Sequence, residues 1–268
     1  MIPPKYFLSF LWVNLLSIQS ALAFNTDTIA QCYQAAYPNS VQYEKPNILI
    51  VNGQRITIEP PQQSFEQALN HATLADQLSQ RYARDFLIPS KNEDAGRFRN
   101  LAFFHALYGQ NEHDIRKNLT QIIWQPSGKK LSFHQANHAA KALENVGKEI
   151  AQFPELANYM KKSSGTFNYR FIAGTKRLST HAFGIAIDFE LPQKLGRYWR
   201  WDKCKNPQEG VCPFPKETLE DKNLNRIVEI FEKHGFIWGG KWYHYDGVHF
   251  EYRPELLHKA CQSLGESL

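Results

Sequence analysis

The feature that most constrains this chain is the run at residues 179–188, which reads S-T-H-A-F-G-I-A-I-D. From Gly184 to Glu190 large apolar and small or acidic residues alternate, and successive side chains of a strand point to opposite faces. One face carries Ile185, Ile187 and Phe189, and the other carries Gly184, Ala186, Asp188 and Glu190. The pattern predicts a strand with one face in the core and a small, acidic face beside a site.

A second stretch near the end complements the first. Residues 246–251 read D-G-V-H-F-E and follow a W-G-G-K-W segment at residues 238–242. We predict a final strand over residues 248–252, with Asp246 in a turn-like Asp-Gly pair just before it. An earlier strand is predicted at residues 166–172, and a helix capped by Asp221 is predicted to end at Gly235. The two stretches together place two histidines and two carboxylates on or beside strands.

This residue set is typical of a catalytic zinc site, which takes three ligands from His, Asp and Glu and keeps one position for water. A nearby carboxylate must also move a proton from that water to the leaving group. We assign the ligands and the base as follows. His181, Asp188 and His249 are the predicted ligands, Asp246 is the predicted base, and Glu190 and Glu251 are spare acids that could replace it.

Two alternatives compete with this interpretation. His181 and His249 could be buried histidines that are only hydrogen-bonded within the core. Ser179 could be a nucleophile, but a catalytic serine needs its own base and orienting acid, so we expect Ser179 to order the loop before His181.

The motifs S-x-H-x-x-G-x-A-x-D at residues 179–188 and D-x-x-H-F at residues 246–250 resemble the zinc D-alanyl-D-alanine carboxypeptidases and dipeptidases, including the L-alanyl-D-glutamate endopeptidases. The resemblance covers about residues 165–252. It implies a small α+β domain of the Hedgehog/DD-peptidase type, one Zn²⁺ per chain, and the same ligands and base. It also implies a peptidoglycan peptide as substrate.

Members of this family stabilise the oxyanion with an arginine upstream of the first motif. Arg170, in F-N-Y-R at residues 167–170, fits that place, and Arg177 is the rival because it lies closer to His181. Either arginine could instead form an ordinary surface ion pair.

Residues 1–23 have the pattern of a secretory signal. Lys5 precedes an apolar run that is too short to span a bilayer, and small residues precede a predicted cut after Ala23. We therefore expect a soluble periplasmic or secreted protein with no membrane span in the mature chain, and a monomer. The formal net charge of +5 suits contact with an anionic cell wall, and no basic block indicates nucleic acid.

Four cysteines are an even count, which in an exported protein favours disulfides. Three pairings are possible. We favour Cys204–Cys212, which closes a short loop, with Cys32–Cys261 joining the two ends of the chain. A four-thiolate zinc site is the rival, but no C-x-x-C spacing supports it.

The region before the motifs is expected to be mainly helical. Asn52-Gly53 predicts a hairpin of residues 48–51 and 55–58, and helices are predicted over residues 64–86, from Leu101, across residues 115–123 and from Gln135. The charged stretch at residues 94–99 could cap the helix at Leu101 or line a substrate groove, and we favour the cap. His134 and His138 could hold a metal at helical spacing, but packed or surface histidines are the favoured interpretation.

The predicted fold class is α+β, with a small antiparallel sheet and flanking helices after a mainly helical region. We expect a signal at residues 1–23, the helical region at 24–152, a zinc peptidase domain at 153–262 and a tail at 263–268. The predicted function is cleavage of peptidoglycan peptides, either at a terminal D-Ala–D-Ala bond or within a stem or cross-link. A non-catalytic module that binds cell wall or metal is the alternative.

Overall fold

The computed structural model describes residues 25–200, 212–261 and 264. The predicted signal at residues 1–23, Cys204 and most of the tail at 263–268 lie outside the described residues, and the predictions for them stay open. No helix within the described ranges is long and apolar enough to cross a membrane.

The chain folds as α+β, as predicted. In the first half the elements are α1 (Thr26–Ala36), β1 (Val41–Glu44), β2 (Ile48–Val51), β3 (Gln54–Thr57), α2 (Phe65–His71), α3 (Leu74–Leu78), α4 (Leu101–Tyr108), α5 (Glu112–Lys117), β4 (Leu119–Trp124) and β5 (Lys129–His134). In the second half they are α6 (Ala139–Ile150), α7 (Pro154–Tyr159), β6 (Ser163–Gly165), β7 (Ala186–Phe189), α8 (Lys216–Glu220), α9 (Lys222–Lys233), β8 (Phe236–Trp238) and β9 (His249–Tyr252).

Three antiparallel sheets are formed by these strands. The first has the order β1-β2-β3, the second pairs β4 with β5, and the third has the order β6-β7-β9-β8. The third sheet contains both predicted strands of the site. Its apolar face is buried as the alternation predicted, with Ile185, Ile187 and Phe189 all inaccessible to solvent.

Several local predictions are confirmed because the signals that carry them are local. Asn52 and Gly53 both have positive φ angles, 46° and 84°, and join β2 to β3. Asp221 caps α9 by accepting a hydrogen bond from the backbone N–H of Leu224 at 3.0 Å. Gly235, with φ of 88°, follows the end of that helix.

The prediction of a helix across residues 115–123 is wrong beyond Lys117. Residues 119–124 form β4, which pairs with β5 through the turn at residues 126–128. Ile122 and Trp124 are buried, whereas Ile123 between them is 49% exposed. This alternation and the β-branched content fit a strand, and the partner strand was not predicted.

Two further predictions need correction. The helix expected over residues 64–86 breaks at Thr73, which starts α3 with its own capping box, and no helix continues past Leu78. Tyr82 is instead fixed by tertiary hydrogen bonds, donating to Glu232 Oε1 at 2.7 Å. The strand expected at residues 166–172 lies earlier, as β6.

The regions before and after residue 153 share one hydrophobic core, which includes buried residues of α1, α4, α6, α9 and the third sheet. The predicted Cys32–Cys261 disulfide is present and joins α1 to the last short turn of the described chain. The Cys204–Cys212 pairing stays a prediction. The N-terminal region therefore packs closely against the sheet that carries the two motifs.

His134 does not share a helix with His138. His134 lies on β5 and is 1% exposed, and its Nε2 donates to the carbonyl of Tyr108 at 2.8 Å. Its Nδ1 accepts from the backbone N–H of Ala136 at 3.1 Å. Both ring nitrogens are thus occupied by the neutral tautomer, and the metal alternative for this pair has no support.

We predict that acid destabilises the protein through His134. Burial lowers the pKa of this side chain from its usual 6.5 to about 4. The neutral ring contributes up to about 3 kcal/mol above pH 6.5, and this contribution is lost as the pH falls toward 4. Chemical denaturation at pH 7 and pH 4.5 measures it. His134→Gln should reduce the change in the free energy of unfolding between these two pH values, whereas the exposed control His138→Asn should leave that change intact.

Candidate metal centre

The pairing of β7 with β9 builds one side of the site. In this antiparallel pair Asp188 lies directly opposite His249. Their side chains project from the same face of the sheet. The register therefore brings together two predicted ligands that are separated by 61 residues.

The third predicted ligand comes from a tight turn. His181 lies in a single 3-10 turn, Thr180–Phe183, and Ser179 caps it by accepting from the N–H of His181 at 3.3 Å. Ser179 thus orders this loop, as predicted. Gly184 ends the turn at φ of 67°, and a Cβ there would lie 2.6 Å from a methyl of Leu119. Both the backbone angle and the lack of space favour glycine.

One ligand atom of each side chain points to a common centre. Asp188 Oδ1 lies 3.1 Å from His181 Nε2 and 2.9 Å from His249 Nδ1, and the two nitrogens are 3.3 Å apart. The three residues offer ligand atoms within 4.8 Å of one another, so they could hold a metal ion. No other group of this kind is found among the residues that the structure describes.

Each histidine is oriented through its other ring nitrogen. His181 Nδ1 donates to the carbonyl of Thr166 at 2.5 Å, and His249 Nε2 lies 3.0 Å from Glu251 Oε2. Metal-binding histidines commonly make such bonds to a carbonyl or carboxylate, which fix the tautomer and the ring orientation. The contacts leave His181 Nε2 and His249 Nδ1 facing Asp188.

Glu251 is the centre of a buried polar network. It is inaccessible to solvent and also accepts from Thr180 Oγ1 at 2.8 Å. Arg253 Nη1 lies 2.8 Å from Glu251 Oε1, and Arg99 Nη1 lies 3.5 Å from Glu251 Oε2. Burial raises the pKa of Glu251, but His249, Arg253 and Arg99 outweigh it and hold the pKa well below its usual range.

These contacts correct the suggestion that Glu251 could serve as the base. Both of its oxygens are already hydrogen-bonded, and its carboxylate is held ionised. A residue in this position orients His249 and balances the buried arginines. Glu190, the other spare acid, is exposed at the rim of the site and lies 3.9 Å from Lys162.

Asp188 and His249 form an ion pair, with 2.9 Å between Asp188 Oδ1 and His249 Nδ1. Burial disfavours a charge on His249, but Asp188 and Glu251 raise its pKa to about 10. Burial also disfavours the Asp188 carboxylate, while its contacts with His181 and His249 hold its pKa well below the usual value. A cation at the centre would displace the proton from His249 Nδ1.

Asp246 has a different environment. Its backbone N–H donates to Gly239 at 2.9 Å, its carbonyl accepts from the N–H of His249 at 3.2 Å, and its Oδ1 is buried without a hydrogen-bond partner in the described parts of the chain. Burial raises the pKa of Asp246 to about 6, with Asp188 adding to the rise and His249 and Arg97 opposing it. This carboxyl can therefore exchange a proton near neutral pH.

The two candidate oxyanion arginines lie in different environments. Arg170 lines the pocket but is exposed, and the nearest partner described for its guanidinium is the carbonyl of Phe171 at 3.5 Å. Arg177 is partly buried, and its Nε and Nη1 have no hydrogen-bond partner among the described residues. Neither forms a described ion pair with an acid.

The charged stretch at residues 94–99 contributes side chains to the site. Asn100, rather than this stretch, caps α4 by accepting from the N–H of Phe103 at 2.9 Å. Arg97 and Arg99 instead line the pocket above the cluster, so the favoured capping interpretation is wrong. The alternative, that this stretch lines a substrate groove, stays a prediction. The concentration of charge before an apolar helix was the available signal.

A pocket of about 450 Å³ opens onto the cluster. His181, Asp188, His249 and Asp246 lie together in its lining. The walls also include Trp242, Tyr198, Ile172 and Leu191, which give the pocket apolar surface beside the charged groups. A pocket of this size with a few convergent polar groups is typical of a binding site for a small or extended ligand.

A comparison with protein-family models finds a match over the segment that carries the candidate metal centre. Residues 173–252 match a family model described as D-alanyl-D-alanine carboxypeptidase. The match supports a peptidase of this general family over less than a third of the 268 residues. It contains His181, Asp188, Asp246 and His249, whereas Arg170 lies just outside it. No curated protein and no solved structure matches the chain.

We predict that Glu251→Gln weakens zinc binding by about 10- to 100-fold, because His249 loses its carboxylate partner. The matched control is Glu255→Gln. Glu255 is equally buried and also contacts Arg253, at 2.6 Å, but it has no described contact with His249. Competition with a chromophoric chelator measures the affinity, and thermal melting measures stability. Equal affinity losses in both variants would contradict a specific role for Glu251.

Proposed function

We propose that the protein is an exported zinc metallopeptidase that cleaves peptidoglycan peptides. The bond is either a terminal D-Ala–D-Ala bond or a bond within a stem or cross-link. The observation that carries the proposal is the convergence of His181, Asp188 and His249 next to Asp246, a carboxyl group whose pKa lies near 6. The family match supports the peptidase, and the Cys32–Cys261 disulfide suits an oxidising compartment.

The donor set fits zinc. Two imidazoles and one carboxylate are the ligands of several catalytic zinc sites, and such sites leave the fourth position open. His181 Nε2, Asp188 Oδ1 and His249 Nδ1 would hold the ion. Bound zinc would lower the pKa of a bound water to about 7 and polarise the scissile carbonyl.

Asp246 would supply the proton transfer. Its carboxyl group would accept a proton from the attacking water and return it to the leaving amine. A pKa near 6 suits both steps, because the group can be ionised before attack and protonated after it. Arg170, at the edge of the same pocket, is the proposed partner of the negative charge that develops on the carbonyl oxygen.

We predict that the protein releases peptide products from purified peptidoglycan, that a chelator blocks the reaction, and that zinc restores it. Asp246→Asn should keep zinc bound and lower the rate by about 10²- to 10⁴-fold, since it removes the proton-transfer group. Mass spectrometry of the products and zinc analysis of the purified variant measure both effects. Glu229→Gln, an exposed acid on α9, is the control.

The products also identify the bond. Loss of a single terminal alanine indicates a carboxypeptidase, whereas release of longer peptides or separated stems indicates an endopeptidase. Full activity of Asp246→Asn would show that the base lies elsewhere. If Glu190→Gln then lost the activity that Asp246→Asn was expected to lose, Glu190 would be the base. A zinc-loaded protein that gives no product would favour the non-catalytic wall-binding module.

A further inference from the structure

The lining of the pocket above the cluster contains four arginines and three acids. Its lining includes Arg97, Arg99, Arg170 and Arg200, against the acids Asp188, Glu190 and Asp246. Asp188 and Asp246 belong to the candidate metal centre, and Arg99 is paired with Glu251 in the wall. Of the others, Arg97 has only Asp94 beside it, at 3.6 Å from its Nε, and no ion pair with an acid is described for Arg170 or Arg200.

Arg97 is the most closely fixed of them. Its side chain is 13% exposed, and its guanidinium lies 4.5 Å above the ring of Trp242. The Trp242 ring lies 5.8 Å from that of His249, and the Trp242 Nε1 donates to the carbonyl of Ala95 at 2.6 Å. The stack holds the charge of Arg97 close to the candidate metal centre, where it also lowers the pKa of Asp246.

The hydrogen bonds of Arg97 leave most of its donors unused. Its Nη2 donates to the carbonyl of His244, and its Nε is buried without a hydrogen-bond partner in the described structure. Asp94 is the nearest acid, at 3.6 Å from Nε. The oxygens of Asp94 are taken by His244, whose backbone N–H and Nδ1 lie 2.8 Å and 2.5 Å away. Asp94 thus positions Arg97 without satisfying it.

Arg177 adds a second incompletely satisfied guanidinium. Its Nε and Nη1 are buried without described partners, and burial together with the charges of Arg97 and Arg200 lowers its pKa. Keeping like charges together with unused donors is unfavourable unless an anion joins them. An anionic ligand near both guanidinium groups would reduce this repulsion and accept hydrogen bonds from the donors that lack a described partner.

We propose that Arg97, supported by Arg177, binds a carboxylate of the substrate. The proposal rests on the proposed function and names the group by which this pocket recognises its peptide. A planar guanidinium with several free N–H donors matches a carboxylate in a two-bonded arrangement. The carboxylate could be the C-terminus beyond the scissile bond or an acidic side chain within the peptide, and the two sources can be tested separately.

The first experiment measures equilibrium binding to the zinc-loaded Asp246→Asn protein by calorimetry. The probes are a synthetic stem peptide ending in D-Ala–D-Ala, the same peptide with a C-terminal amide, and a third form with its internal acidic side chain amidated. We expect the Asp246→Asn protein, in which Arg97 is unchanged, to bind the unmodified peptide about tenfold to a hundredfold more tightly than one of the two amidated peptides. Which amide loses affinity identifies the recognised carboxylate.

The second experiment repeats these titrations after substitution of Arg97. The acid-to-amide ratio is the affinity for the unmodified peptide divided by the affinity for the discriminating amide. Arg97→Gln should bring this ratio close to one, mainly by weakening the binding of the unmodified peptide. Arg97→Lys should give an intermediate ratio. Arg55→Gln is the control, since Arg55 is exposed on β3 and paired with Glu44. Thermal melting shows whether each variant is folded. Because Arg97→Lys keeps the charge, it still tests the proposal if Arg97→Gln does not fold.

Several results would overturn the proposal. One is an unchanged acid-to-amide ratio in both Arg97 variants, and another is an equal loss for all three peptides, which would indicate a structural role. A lower kcat with an unchanged ratio in the active enzyme would assign Arg97 to the transition state instead. If Arg97 sets the ratio but no peptide is cleaved, the proposed function fails while the carboxylate site stands.

Discussion

The interaction on which the site depends is the hydrogen bond between Glu251 and His249. A carboxylate that is wholly inaccessible to solvent is costly unless its charge and both oxygens are satisfied. Here Thr180, Arg99 and Arg253 satisfy them. The network fixes the ring of His249 with Nδ1 toward Asp188. The geometry of the candidate metal centre is therefore set by residues behind it as much as by the three that form it.

The same site holds carboxyl groups in opposite states. Asp188 Oδ1 lies close to His181 Nε2 and His249 Nδ1, and these contacts keep its carboxylate ionised. Asp246 Oδ1, in contrast, is buried without a described partner, and the pKa of Asp246 rises to about 6. Environment rather than residue type thus separates the proposed ligand, Asp188, from the proposed proton carrier, Asp246. Gly239 makes this possible, because a Cβ there would lie 2.8 Å from the carbonyl of Asp246 and push the turn away.

What could be predicted from the sequence follows from the range of each signal. The alternation at residues 184–190, the Asn52-Gly53 turn and the Asp221 cap act within a few residues, and all three were found. The strand β4 was taken for a helix because its partner β5 decides its state. The roles proposed for Arg97 and Glu251 could not be deduced from the local sequence. Arg97 is held by a contact with His244, 147 residues away. Glu251 contacts a ring nitrogen of His249, and only the fold defines the orientation of that ring.

The N-terminal region contributes charged side chains to the candidate site. The segment that matches the family contains Glu251 but not Arg99, which comes from residues before α4 and helps to balance that buried charge. Glu255, the second acid on Arg253, is likewise held by Tyr37 and Gln77 at 2.6 Å and 3.1 Å. Without these contacts the buried carboxylates would lose stabilising partners. A chain cut to the matched segment would thus keep the predicted ligands but lose much of the electrostatic support that orients His249.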